Sequence, residues 1–538
     1  LVGNPRQGQQ RVVEHRTAIA HVHLAATVGG ADLVLDEVDI APRRRRCFAQ
    51  HEVFGAGVVG DELRGTRFLE GLEARVGHFD GGVQGVDGGQ HVRARIRPCA
   101  RCEIAAHAEG ELAFDHQHLV AGECSYYACM PSKALLYPGE VLDEARRAPG
   151  VREAVTGGLD VSAVLERRDE VIHHLDDSSQ LAWLRERGIE LFRGSGVIAG
   201  EREVRVGGDV LVADRAVAIA TGSSASIPPI PGLPEAPIWN NRQGTTASTA
   251  PESLIILGGG PVGCELAQAW SSLGSEVTIF EPEERVLVHE EPFAGDLVEQ
   301  ALWDRHGVTM VTGTAVESVS TTDSGITVSA GGKEYTAAEL MVATGRRPRT
   351  DRIGLESIGV DGGAELETDD CYRVKGHDWL FAVGDVNGRA PLTHMGKYQA
   401  WVGVRALLGH EPENRAELIG SPRVTFTNPQ VAAVGKTLAE AEAEGIDAVA
   451  IHADTGSTAG ASFLGRGVDG KCRLVVDQAT GLVVGATFVG FEVAEWLQAA
   501  TVAIVGKVSM DDLRHAVAPF PTRSEIWLRF SEEWEARR

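Results

Sequence analysis

The chain has 538 residues, a length that accommodates three or four domains, each with its own core. Its formal net charge of -25 argues against nucleic acid or an anionic membrane as a partner. No apolar run approaches the roughly 20 residues of a membrane span, and the polar opening Leu1-Val2-Gly3-Asn4-Pro5-Arg6 does not read as a signal peptide. Eight cysteines are too sparse for a disulfide scaffold, so the expected setting is reducing and cytoplasmic.

In chain order, residues 1–104 carry little organised chemistry. Gly55-Ala56-Gly57-Val58-Val59-Gly60 has the spacing of a dinucleotide loop. However, Arg43 to Arg46 and Gln50-His51-Glu52 stand before it, where a buried parallel strand should be apolar. Asp80-Gly81-Gly82-Val83-Gln84-Gly85 is a second match with Asp in place of the first glycine. Cys99 and Cys102 form a lone C-x-x-C pair, and the early histidines lack metal-site spacing, so no metal site is predicted. The segment reads as an unrelated extension or as the product of a wrong start or reading frame. Beyond it, Glu111-Leu112-Ala113-Phe114-Asp115 reads as a short strand ending in an acid.

The next stretch organises the rest of the chain: Gly122-Glu123-Cys124-Ser125-Tyr126-Tyr127-Ala128-Cys129-Met130-Pro131-Ser132-Lys133. Two cysteines at this spacing in the first turn of a helix come near enough for an S–S bond. The helix N-terminus favours a thiolate. Zinc is the blander reading, but its ligand pairs are usually closer and need a second pair. The motif resembles the redox-active disulfide of the class I pyridine nucleotide-disulfide oxidoreductases, in the manner of dihydrolipoamide dehydrogenases and mercuric reductases. That resemblance implies an FAD-dependent enzyme in which Cys129 lies nearer the flavin and Cys124 is the exchange thiol. It also places Asp115 where a ribose-binding acid would stand and Gly122 at the cofactor. No glycine loop for FAD is recognisable upstream.

Helices are predicted over Ala134–Ala148 and Val161–Gly188, followed by short strands at Ile189–Phe192, Glu203–Val206 and Ala216–Ala220. The last runs into Thr221-Gly222-Ser223, where small residues let backbone approach a dinucleotide; the resemblance assigns it to the FAD domain. Ser253-Leu254-Ile255-Ile256-Leu257 then leads into Gly258-Gly259-Gly260-Pro261-Val262-Gly263. A buried strand, a glycine turn and a helix in that order seat a pyrophosphate at the helix N-terminus. Glu276 to Glu281 follows, and Glu281 would accept hydrogen bonds from the adenine ribose and repel a 2′-phosphate. NAD(H) is therefore expected, with Arg285 nearby keeping NADP(H) open. The resemblance pairs Glu265 with Lys133 beside the flavin. A second Ala-Thr-Gly ends at Gly345.

Trp379 to Asp385 is a strand ending in Gly384-Asp385. By the resemblance Asp385 binds the ribityl hydroxyls, and Leu392, Thr393 and His394 lie near the flavin pyrimidine ring. Val424 to Gly435 resembles the start of a dimerisation domain. A hairpin with its turn at Gln478–Gly481 and an apolar helix at Ala494–Ile504 follow. Dihydrolipoamide dehydrogenases end in His-Pro-Thr-x-Ser-Glu; here Phe520-Pro521-Thr522-Arg523-Ser524-Glu525 retains Glu525 but replaces the histidine base with Phe. His515 is a candidate substitute.

The expected fold is α/β: two Rossmann-like domains, for FAD (105–250 with 335–410) and NAD(P) (251–334), and an α+β dimerisation domain (411–538). The expected protein is a homodimer passing electrons from NADH through FAD to Cys124–Cys129, and on to a small or protein disulfide, a quinone or a metal ion. The alternative is a non-catalytic nucleotide-binding protein lacking a complete FAD site.

Overall fold

The computed structural model describes Cys102, Glu103 and residues 119–538, apart from Ser324, Arg466, Val468 and Asp469. The readings placed on Gly55–Gly60, Asp80–Gly85, Cys99 and Asp115 lie outside the described residues.

Two helices carry the cysteine motif, α1 (Gly122–Tyr126) and α2 (Cys129–Arg147). A single helical turn was expected to hold both thiols, but the helix breaks at Tyr127 and Ala128. The Tyr127 carbonyl accepts from Asn241 Nδ2 at 2.9 Å and Thr245 Oγ1 at 3.1 Å instead of continuing the helical ladder. The helix expected over Val161–Gly188 is also interrupted, into Val161–Val171 and Ser178–Glu186. Between them His173, His174 and Leu175 adopt φ of 53°, 49° and 59°. The break leaves the Asp177 carboxylate to accept from Val120 N (2.8 Å) and Arg193 (2.6 Å).

The chain continues through β1 (Val217–Ile219), β2 (Ser223–Ala225), β3 (Ile238–Trp239) and α3 (Asn241–Thr246). Then come β4 (Ser253–Leu257), α4 (Pro261–Ser272), β5 (Glu276–Glu281), α5 (Pro292–His306) and β6 (Thr309–Thr312). β7 (Glu339–Val342), β8 (Arg346–Pro348), β9 (Leu380–Ala382) and α6 (Thr393–Leu407) complete this part. Strands β6-β5-β4-β7-β3 form one parallel sheet in that order. The sheet reaches beyond residues 251–334 on both sides, because β3 and β7 pair into it. Leu254 to Leu257 are all at most 2 % exposed, as a continuous apolar run must be when both faces of a parallel sheet are covered. Leu135 of α2 joins Leu266 and Trp270 of α4 in the same core. β1 pairs in parallel with β9, and β2 pairs antiparallel with β8. These two antiparallel strands are where the chain passes between the β1–β9 pair and the five-stranded sheet.

The C-terminal part is an antiparallel sheet of five strands: β10 (Arg423–Thr425), β11 (Gln430–Gly435), β12 (Ala448–Asp454), β13 (Lys471–Asp477) and β14 (Val483–Gly490), in the order β10-β11-β14-β13-β12. Helices α7 (Leu497–Gly506) and α8 (Ile526–Arg537) contribute to its core, where Phe488 meets Trp496, Trp527 and Phe530 edge-on. Among the described residues no helix is long and apolar enough to cross a membrane.

Candidate active site

The shared core of α2 and α4 brings Lys133 Nζ to 2.6 Å from Glu265 Oε2. Glu265 is only 5 % exposed and its other oxygen accepts from Phe426 N at 2.9 Å, so the carboxylate is fully engaged. Lys133 also lies 4.7 Å over the Phe426 ring. Cys129 opens α2, with Thr393 Oγ1 at 3.9 Å from its sulfur. The hydrogen bond between the thiols splits their acidities. Cys129 falls to about 6, through the bond from Cys124 and the Lys133 charge and against its burial. Cys124, which supplies that bond and is itself half-buried, is pushed far up. One thiol of the pair is thus a ready thiolate and the other holds the proton.

At the glycine turn, two residues show why no larger side chain fits. Gly258 has φ of 110° and a Cβ there would lie 2.4 Å from the Ala343 carbonyl oxygen. A Cβ on Gly263 would meet the Gly258 carbonyl oxygen at 1.9 Å. Gly260, at the N-cap of α4, faces open space, which suits a ligand backbone approaching a helix N-terminus. Glu281, at the end of β5, accepts from Gly259 N (2.7 Å) and Glu283 N (3.0 Å), which fixes its carboxylate at the turn. The Arg285 guanidinium donates to the carbonyls of Val286, Leu287, Val288 and Glu290. It holds its own loop, which weakens the case for it as a 2′-phosphate ligand.

On the other side, Ser223 Oγ donates to Asp385, Thr221 Oγ1 donates to the Arg349 carbonyl (2.6 Å), and Gly384 N donates to Gln399 Oε1 (2.7 Å). Gly122, Gly222 and Gly345 have φ of 71°, 69° and 124° and face open space. Each precedes a member of one hydrogen-bonded cluster, Glu123, Ser223 and Arg346. Each of the three glycines thus leaves room for close approach beside a cluster that includes the Asp385 carboxylate, and this fits the flavin side of FAD. Leu392 caps α6 and Thr393 begins it. The His394 ring is engaged elsewhere, with Nε2 at 2.8 Å from the Pro422 carbonyl oxygen.

Glu525 is 7 % exposed and accepts from Ala459 N at 3.1 Å, whereas Phe520 is 77 % exposed. Sequence reasoning missed the roles of Glu123, Arg242, Arg346 and Arg349 as a cluster. Glu123 Oε1 meets Arg242 Nε at 3.0 Å and Arg349 Nη2 at 3.2 Å, and Oε2 meets Arg346 Nη2. The Arg partners lie 119 to 226 positions away in sequence, so no local pattern signals them.

Residues 102–400 match the family model described as pyridine nucleotide-disulphide oxidoreductase, and residues 421–529 match the dimerisation domain of the same family. The mercuric reductase of Staphylococcus aureus is 28 % identical over 431 residues, 78 % of each chain. The dihydrolipoyl dehydrogenase of Chlamydia muridarum is 27 % identical over 433 residues, 79 % of this chain and 91 % of its own. The solved structure of LpdA from Mycobacterium tuberculosis shares the fold, with a TM-score of 0.68 and 24 % identity over 78 % of this chain and 92 % of its own. These matches span the redox motif and both flanking parts, and they do not favour a non-catalytic nucleotide binder. The chain belongs to the pyridine nucleotide-disulphide oxidoreductase family, and it is an oxidoreductase that uses a flavin and a pyridine nucleotide.

Proposed function

We propose that the chain, as a homodimer, transfers two electrons from NADH to the Cys124–Cys129 disulfide, and that the resulting dithiol reduces a disulfide, a quinone or a metal ion. The observation that carries this is the grouping of Cys124 in α1, Cys129 and Lys133 at the start of α2, and Glu265 in α4. When bound, FAD relays the hydride equivalent of NADH to the disulfide as an electron pair. Gly258, Gly260 and Gly263 would seat the NADH pyrophosphate at the N-terminus of α4, and Glu281 would accept from the ribose hydroxyls. Thr221, Gly222, Ser223, Gly345, Gly384 and Asp385 would hold the flavin side of FAD, with Gly122, Leu392, Thr393 and the His394 backbone at its edge. Lys133, paired with Glu265, presents a cation beside the sulfur of Cys129. Cys129 holds a thiolate while Cys124 keeps the proton that the departing substrate thiol takes up.

The balance is NADH plus the Cys124–Cys129 disulfide giving NAD⁺, the Cys129 thiolate and the Cys124 thiol. Anaerobic treatment of oxidised holoprotein with one equivalent of NADH is expected to expose two new alkylatable thiols per chain, both on peptides containing Cys124 and Cys129. Cys124→Ser and Cys129→Ser should each yield none. New thiols elsewhere, or none in the unaltered protein, would refute the assignment.

A further inference from the structure

The segment that carries Cys124, from Ala121 to Tyr127, is fastened from outside at three points. Val120 N, just before it, donates to Asp177 at 2.8 Å. The Tyr127 carbonyl, at its far end, accepts from Asn241 and Thr245 of α3. Between them the Glu123 side chain, adjacent to Cys124, is shared by Arg242 of α3, Arg346 of β8 and Arg349 just beyond it. All four of these side chains are at most 30 % exposed, so solvent and salt screen the contacts weakly. Three guanidiniums hold Glu123 ionised, below the usual carboxylate range, even though its burial opposes this. Arg346 is itself fixed by Ser223, through Oγ at 2.6 Å and the backbone carbonyl at 2.9 Å, which ties the clamp to the β2–β8 pair.

The entry to this loop is strained. Ala121 sits at φ of 116°, a conformation that a residue with a Cβ rarely adopts. Such a conformation persists only where its surroundings hold it, and the Asp177 and Glu123 contacts stand on either side of it. The charges that bear on the two thiols are those of Lys133 and Glu265. A clamp that ends on Glu123 therefore acts on Cys124 through position.

We propose that Glu123 is a positioning residue for the thiol pair: by engaging Arg242, Arg346 and Arg349 it holds the Cys124 loop at the geometry disulfide closure needs. This rests on the redox role proposed above for Cys124 and Cys129. A dithiol held ready to close has a high effective concentration of one sulfur toward the other, which stabilises the disulfide. A loosened loop makes the same disulfide easier to reduce.

The test is a redox titration of the full-length holoprotein in mixtures of reduced and oxidised dithiothreitol. The Cys124–Cys129 S–S bond gains two electrons and two protons as dithiothreitol loses them and closes its own S–S ring. The disulfide fraction is read by differential alkylation and mass spectrometry of the peptides. Glu123→Gln is expected to make the disulfide at least tenfold easier to reduce, a potential more positive by about 30 mV. Arg349→Gln leaves two guanidiniums on the carboxylate and should give a smaller shift of the same sign. A general loss of stability without loss of positioning would lower the unfolding temperature and leave the potential of the folded protein unchanged.

Folded variants that both stay within twofold of the unaltered protein, about 9 mV, would overturn the inference. If Glu123→Gln does not fold, Arg349→Gln decides by the same twofold criterion. An unaltered protein that forms no Cys124–Cys129 disulfide under oxidising conditions would instead refute the redox reading, and the positioning role with it.

Discussion

At the scale of single residues, nucleotide preference turns on what Glu281 and Arg285 are already doing. Backbone N–H groups of Gly259 and Glu283 orient the Glu281 carboxylate at the turn that would carry the nucleotide. Ribose hydroxyls can donate to such a group, but a 2′-phosphate would bring like charge against it. Arg285 is the residue that in sequence left NADPH open, and its guanidinium is spread over four carbonyls of its own loop. Using it for a phosphate would leave those carbonyls to find other donors. The expected outcome is a kcat/KM for NADH at least about tenfold above that for NADPH, equivalent to about 1.4 kcal/mol. Steady-state rates with an artificial acceptor measure this, and equal values would mean that Glu281 does not face the ribose. The glycine turn and Glu281 were legible because they obey local spacing rules. The Arg285 contacts were not, since a composition of charged residues does not reveal which loop carbonyls turn inward.

Among the elements, the start of α5 joins the nucleotide-type sheet to the C-terminal sheet. Glu290 pairs with Arg423 of β10 at 2.6 Å, and Glu291 pairs with Arg473 of β13 at 2.5 Å. The Glu291 carboxylate is almost fully buried and also accepts from Leu438 N at 2.9 Å. Removing one partner of such a pair strands the other charge, which typically costs about 3–5 kcal/mol. Arg473→Met should destabilise the chain by that order, read as a lower denaturant midpoint at unchanged slope. A change below about 1 kcal/mol, within the range of exposed pairs, would show that the pair adds nothing beyond a surface contact. Neither this bridge nor the Glu123 cluster is visible in the sequence, because each joins charges on elements far apart in the chain. What was visible is apolar periodicity and glycine placement: β4, β5 and the β13–β14 hairpin fall where their patterns put them. The helix expected over Val161–Gly188 failed for the complementary reason. Its apolar pattern continues through His173–Leu175, but the Asp177 contacts to Val120 and Arg193 require a break there.

For the whole molecule, the open question is how electrons leave the dithiol. In the resemblance a histidine of one subunit exchanges protons with substrate thiols over the other subunit's disulfide, and Phe520 occupies its position here. Phe520 is 77 % exposed, and Val517 and Phe463 are 86 % and 73 % exposed, all on the part that matches a dimerisation domain. The homodimer proposed above would bring a second copy to cover these residues. One oxygen of Glu525 accepts from the Ala459 N–H, and position 520 offers this carboxylate no imidazole to orient. An acceptor that needs proton shuttling should therefore be reduced slowly, because general acid–base help is typically worth about 10²–10⁴ in rate. NADH reduction of the Cys124–Cys129 pair should proceed normally, lipoamide turnover should be slow, and quinone reduction, which needs no such shuttle, should be faster. Phe520→His is expected to raise lipoamide turnover and leave quinone turnover unchanged, provided the dimer brings that residue over the partner's thiols. The comparison of the two acceptors with the same enzyme sample separates loss of the base from loss of flavin or fold, which would lower both rates together. Lipoamide turnover in the unaltered protein that matches its quinone turnover would overturn this account, and would direct attention to His515, which is exposed on the same segment, as the proton carrier.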